Sequence, residues 1–281
     1  MGSIQNVGTK CRNKSAGYST RFQESDLRTE AKRLINKSLS ENTRAAYNNG
    51  LACFEMFRKE FSLAKLWPPS LSHVTQCIAY LSLNKKSHHT VSLYLSALNF
   101  ECKLSQLEDF SNNFIIRKML EGLRRSNKKK DTRLPISKEL LSNLITVLPS
   151  VCASDYEAAL FSAAFSVAFF GCLRVGEFTL SKQSQMHQVI GIENIKFITN
   201  SGVQQIDLVI PASKTDQYGN GCLVKISENK SYICPVRLLN KYLHVRPSFE
   251  GPLFCHYGGK LLTRYQFAAV LNKALNFIGI D

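Results

Sequence analysis

A chain of 281 residues, 44% of them apolar, is long enough to bury the cores of two ordinary domains. Its 36 Lys and Arg outnumber 21 Asp and Glu, and the resulting formal charge of +15 makes nucleic acid the first partner to weigh against a basic protein that binds none. Nine cysteines stand singly, with no Cys-x-x-Cys pair and no Cys/His cluster at zinc spacing, which predicts reduced, mostly buried thiols and neither a metal site nor a cofactor.

The lack of a signal peptide, together with the odd cysteine count, predicts a reducing compartment: the nucleus if the source is eukaryotic, otherwise the cytoplasm, and not secretion. Met1-Gly2 opens like a myristoylation signal, but Asn6 stands where Ser or Thr is required. The most apolar run, residues 158–173, falls short of the roughly 18–20 residues of a membrane span and is flanked by Glu157 and Arg174, so it reads as a buried helix and no membrane partner is expected.

Residues 1–24 carry Gly, Ser and basic side chains without an apolar period and read as a flexible basic arm. Residues 25–124 read as helical throughout, with four principal helices. Ser40 is the expected N-cap of the first, whose apolar face runs Tyr47, Leu51, Phe54, Phe57 and Phe61 until Trp67-Pro68-Pro69 stops it. A second begins near Ser72 with Val74, Ile78 and Leu81 inward, and a third carries Val91, Leu95 and Leu98. Asn112 or Asn113 caps a fourth, with Ile116, Met119, Leu120 and Leu123 as its stripe.

Between the halves, at about residues 125–135, lies a basic run comprising Arg124, Arg125, Lys128, Lys129, Lys130 and Arg133, followed by Pro135. It is the expected domain boundary, and it can be a solvated linker, a targeting patch or a DNA contact; its place between two folded halves favours contact. The second half, residues 136–281, starts with helices at about 137–148 and 155–170. Short β-prone runs at 192–199, 205–210 and 222–226 then predict a three-stranded antiparallel sheet, and helices resume at 235–245 and 263–278. The fold class is therefore mainly α with a small antiparallel β-sheet, an α+β chain.

Two segments carry chemistry. Gly171-Cys172-Leu173-Arg174-Val175-Gly176-Glu177 puts an arginine at the edge of an apolar helix, with Glu177 three residues on and able to orient it if the turn is helical. That pair reads either as a plain cap or as an oriented anion-binding group. Lys214 lies in the polar connection 211–221 between two strands, where it is either solvated or reaches a phosphate, or donates a proton.

In this order, the Gly-x-Leu-Arg-x-Gly-Glu segment at Arg174 and the Ser213-Lys214-Thr215-Asp216 hairpin segment resemble the tyrosine recombinase and phage integrase family, in its eukaryotic mobile-element form. The resemblance covers residue 35 to the end. It implies a SAM-like core-binding domain at 25–124 and part of a catalytic domain at 136–281. It further implies that a tyrosine attacks a phosphodiester of double-stranded DNA, forming a 3′-phosphotyrosyl link without a metal. In that mechanism Arg174 stabilises the phosphorane, Lys214 is the general acid for the departing 5′-oxygen and Glu177 supports Arg174. The basic linker would help close a clamp on the duplex, and intact relatives assemble as tetramers on DNA.

The family's His-x-x-Arg motif and the later nucleophilic tyrosine have no counterpart among residues 1–281. None of the six histidines is followed by Arg three positions on, and Tyr242, Tyr257 and Tyr265 precede the place of the nucleophile and read as packing residues. The expectation is a catalytic domain lacking its C-terminal part and inactive alone. The alternative is a domesticated, non-catalytic DNA-binding protein.

Overall fold

The computed structural model describes residues 22–107, 109–126, 134–180, 188–213, 216 and 219–280. The chain divides into two compact units, Met1–Thr132 and Arg133–Asp281. The 1–21 part of the expected arm, and most of the basic linker, lie outside the described residues.

The first unit is all helical: α1 (Glu24–Lys37), α2 (Glu41–Glu60), α3 (Leu71–Leu83), α4 (His88–Leu104) and α5 (Phe114–Ser126). Ser40, Ser70 and Ser87 each accept a hydrogen bond from a backbone N–H in the first turn of the helix they precede. Asn113 accepts from the N–H groups of Ile115 and Ile116, so it rather than Asn112 caps α5. The expected stripes meet in one core of Phe54, Phe57, Val74, Ile78, Leu81, Val91, Leu95, Leu98, Ile116 and Leu123, but Phe61, which follows the last turn of α2, stays outside it and is 53% exposed. Gly50 lets α2 approach α4, because a Cβ there would lie 3.0 Å from the Tyr94 Cα.

Two features depart from the sequence reading. A fifth helix, α1, precedes the expected four and buries no residue; local pairs Arg28–Glu24 and Arg33–Glu30 and acidic residues in its first turn support it. The second departure is the end of α2, which comes at Phe61 and not at the Trp-Pro-Pro segment. Ser62 takes a positive φ of 52°, and the Leu63 N–H returns to the Arg58 carbonyl. Arg58, only 4% exposed, sits over the Phe54 ring and donates to the Leu66 carbonyl at 2.7 Å, tying the following loop to the core.

The second unit comprises α6 (Lys138–Val151), α7 (Asp155–Phe170), the single turn α8 (Val175–Phe178), β1 (Ile195–Asn200), β2 (Val203–Ile210), β3 (Cys222–Ser227), α9 (Pro235–Val245) and α10 (Arg264–Phe277). The sheet is antiparallel in the order β1-β2-β3. Ile206, Leu208 and Ile210 alternate into the core, joined by Ile226 of β3. The 192–194 stretch expected to begin β1 is instead a 3-10 turn in which the Asn194 side chain accepts from the Gly191 N–H.

Helix α7 is the axis of this unit. Ala158, Leu160, Phe161, Ala163, Ala164, Phe165, Ser166 and Val167 are all buried, and the Ser166 hydroxyl finds the Ile233 carbonyl at 2.6 Å. Arg246, 9% exposed, stacks on Phe249 and donates to the carbonyls of Pro247, Phe249, Pro252 and Leu253, each at 3.0 Å. The Arg246→Met variant leaves four carbonyls without their donor and should cost about 3 kcal/mol in urea unfolding.

Among the described residues the eight cysteines are unpaired, with Cys172 and Cys222 exposed and Cys77, Cys102, Cys234 and Cys255 buried. Burial pushes the Cys77 thiol up to about 12. Iodoacetamide at pH 8 should therefore modify Cys172 and Cys222 of the native protein and reach the four buried thiols only after unfolding, as peptide mapping will read. Among the described residues no helix is long and apolar enough to cross a membrane.

Candidate functional site

Helix α7 ends where Cys172 enters the left-handed region at φ 50° and the Leu173 N–H returns to the Ala168 carbonyl at 2.9 Å. The chain then reverses with Leu173 and Val175 packed against the core, which leaves Arg174 between them half-exposed. Ile226 of β3 reaches this reversal, since its side chain would lie 3.1 Å from a Cβ on Gly171. The arginine turn is thus wedged between the main helix and the sheet.

The turn is helical, the condition on which the sequence reading depended. Glu177, 7% exposed at its side chain, uses both carboxylate oxygens on Arg174: Oε2 accepts the backbone N–H at 2.8 Å and Oε1 accepts Nη1 at 3.2 Å. The Glu177 N–H donates to the Arg174 carbonyl at 2.8 Å, and the Glu177 carbonyl accepts from Ile190 at 2.9 Å. One buried carboxylate therefore caps the turn and sets the direction of the guanidinium. Arg174 remains 54% exposed, so the pair itself adds little stability through charge. Its remaining N–H groups make no hydrogen bond among the described residues and are available to an anion.

Lys214 lies outside the described residues, as do Lys128, Lys129, Lys130 and Arg133. The frame around Lys214 is visible. The Asp216 carboxylate accepts from the N–H groups of Asn220 and Gly221, at 3.1 and 2.7 Å, and the Asp216 N–H donates to the Ser213 carbonyl. Asp216 thus folds the β2–β3 connection onto itself directly beyond the Ile210–Cys222 pair that ends the sheet. Arg124 and Arg125 occupy the last exposed turn of α5, with Arg125 paired to Glu121.

The sequence reading passed over Arg264. Segment 180 joins segment 263 through a parallel bridge, with Leu180 N–H on the Leu262 carbonyl at 2.9 Å and Arg264 N–H on the Leu180 carbonyl at 3.2 Å. This sets the first residue of α10 beside the arginine turn: Arg264 Nη2 lies 3.0 Å from where a Cβ on Gly176 would stand. The signal in the sequence is an arginine immediately after the Thr263 cap, at a helix end that prefers acids.

The three tyrosines read as packing residues have distinct places. Tyr242 is fully buried, accepting from the Cys255 N–H at 3.1 Å, and burial drives its hydroxyl pKa far up. Tyr257 and Tyr265 are exposed. No group of His, Cys, Asp and Glu among the described residues could hold a metal.

Replacing Glu177 by Ala removes the cap acceptor and opens a small cavity. The variant should lose about 1–2 kcal/mol in urea unfolding, whereas Arg174→Ala should stay within about 0.5 kcal/mol of the parent.

Residues 32–100 match the phage integrase N-terminal SAM-like domain. No curated protein sequence matches the chain. Among solved structures, the chain is similar to the XerH site-specific recombinase bound to its difH substrate, with a TM-score of 0.56 at 17% identity over 92% of this chain and 68% of that one. A lambda integrase dimer bound to a COC′ core site gives 0.54 at 13% identity, over 91% and 63%. The Tn1549 transposon integrase with transposon right end DNA gives 0.53 at 13% identity, over 89% and 77%.

Proposed function

We propose, from the premise that this chain has the tyrosine recombinase fold, that it is the DNA-binding portion of a recombinase or integrase and holds a backbone phosphate of duplex DNA at Arg174. The observation that carries this reading is the half-exposed Arg174 guanidinium, aimed by the buried Glu177 carboxylate and left with unused donors. Such a fixed fork matches the non-bridging oxygens of a phosphate and strengthens as charge develops on phosphorus. Glu177 orients without reacting. In a recombinase with its nucleophile, a lysine at the position of Lys214 would supply the proton to the departing 5′-oxygen; in residues 1–281 it adds a cation near the phosphate.

Charge distribution supports a DNA partner. Residues 1–132 hold 22 Lys and Arg against 11 Asp and Glu, while residues 133–281 hold 14 against 10, so most of the +15 excess falls on the helical unit. That unit supplies sequence-independent phosphate attraction, with Arg124, Arg125, Lys128, Lys129 and Lys130 among the contributors and Arg133 following at the start of the second unit. The solved structures named above are complexes with DNA, one of a dimer and one of a transposon integrase, which supports assembly on DNA and a mobile-element origin. A protein of this kind works where DNA is, in the nucleus of a eukaryote or the cytoplasm of a prokaryote.

Residues 1–281 contain no His-x-x-Arg, and Tyr242, Tyr257 and Tyr265 precede the place of the family's nucleophile, so the reading is that this polypeptide binds DNA without cutting it. Duplex affinity measured by fluorescence anisotropy should fall steeply with salt, and Arg174→Ala should make the log–log slope shallower by about 1. On nicked suicide substrates no covalent adduct should appear on a denaturing gel. Absence of salt-dependent binding would sink the DNA reading; an adduct would sink the claim of inactivity.

A further inference from the structure

We infer that Arg264 is a second phosphate-binding residue, acting beside Arg174 on the same stretch of DNA backbone, and that Gly176 is glycine to give it room. The inference rests on the proposal that the Arg174 turn meets DNA, and it adds a residue from a different part of the chain.

Three observations lead to it. Arg264 is exposed and has no ion pair or side-chain hydrogen bond among the described residues. It stands in the first turn of α10, where the helix presents the positive end of its dipole and unpaired N–H groups; a cation there is unfavourable unless an anion joins it. It also lies against the turn that carries a second guanidinium two residues from Gly176. Among the described residues the acid engaged at this turn is Glu177, whose two oxygens are already on Arg174. With the Glu177 carboxylate taken up by Arg174, the unused donors of Arg174 and the Arg264 guanidinium are open to an anion from outside the chain.

Gly176 supplies the independent support. Its φ is not positive, so no backbone constraint calls for glycine. Beyond its own turn, the atom among the described residues that a Cβ would meet within 4 Å is Arg264 Nη2, at 3.0 Å. The missing side chain is therefore space for this guanidinium, and because the obstructed atom ends a flexible side chain, an alanine should displace Arg264 without unfolding the turn.

The ligand is a phosphodiester oxygen of duplex DNA, approached on the side of α8 that faces the start of α10. Two forks set side by side fix the backbone in position more tightly than one. Arg174 faces the phosphate at the reacting position, and Arg264 holds the strand beside it.

The test uses residues 1–281 and a 30-base-pair duplex, with affinity measured over a range of salt. Arg264→Ala should weaken binding about 5- to 10-fold at 100 mM salt and make the log–log slope shallower by about 0.9, while its urea midpoint stays at the parent value. Arg264→Lys should keep the slope and recover part of the affinity, since it retains the charge but not the fork. Gly176→Ala should reproduce the affinity loss of Arg264→Ala and add nothing to it in the double variant. If Arg174→Ala weakens binding but Arg264→Ala matches the parent in affinity and slope, the inference falls and the DNA reading stands. If the parent itself does not bind, the DNA reading fails. A loss of affinity in Arg264→Ala accompanied by a lowered urea midpoint would make Arg264 structural and overturn the inference.

Discussion

The carboxylate of Glu177 bears the arrangement on which the site depends. It is buried where an unpaired charge would be costly, and it escapes that cost by accepting both the backbone N–H and the guanidinium of one residue, Arg174. The backbone bond forces a helical turn immediately after the reversal at Cys172. The side-chain bond fixes which way the guanidinium leaves the protein. Because the Glu177 carbonyl also takes the Ile190 N–H, the turn is joined to the segment leading into β1. A long apolar helix, a one-turn helix and a small sheet are thereby held in one relation, and a cation is presented from a rigid place.

The protein uses arginine in two ways that are opposite in energetics. Arg58 and Arg246 are buried with their planes laid over Phe54 and Phe249; Arg246 donates to four backbone carbonyls, and Arg58 to the Leu66 carbonyl and the Glu55 carboxylate. They act as internal caps for loops that have no secondary structure of their own. Arg174 keeps unused donors at the surface, and Arg264 spends none of its side-chain donors on any described group. The first use stabilises the fold, and burial keeps both guanidinium groups from a ligand. The second leaves donors whose partners must come from outside the chain.

How much could be read beforehand follows the range of the interactions. The serine cap at Ser40 and the apolar stripes of α2 to α5 were legible because capping and helical periodicity act within four residues; the caps at Ser70 and Ser87 follow the same rule but were not singled out. The Glu177–Arg174 pair was legible for the same reason, being three residues apart. The end of α2 was misplaced. Trp67-Pro68-Pro69 is a strong local stop, but the helix had already ended at Phe61, where Arg58 could reach both Phe54 and the Leu66 carbonyl. Helix α1 escaped notice because it buries nothing and so shows no inward stripe; local charge pairing carries it.

By itself, then, the sequence determined the fold class, the helical first unit, the three antiparallel strands, and the chemistry of an arginine oriented by a glutamate. Each is encoded by neighbours in the chain, through caps, periods of 3.6 and 2, and turn residues. Only the tertiary structure decided that Arg246 belongs to a loop's interior, that the Asp216 carboxylate accepts from the N–H groups of Asn220 and Gly221, and that Arg264 stands beside Gly176 across some ninety residues of chain. That last approach is made by the bridge between Leu180 and Thr263 and by the shared core beneath it. Packing of distant segments sets it, and no local pattern records such packing.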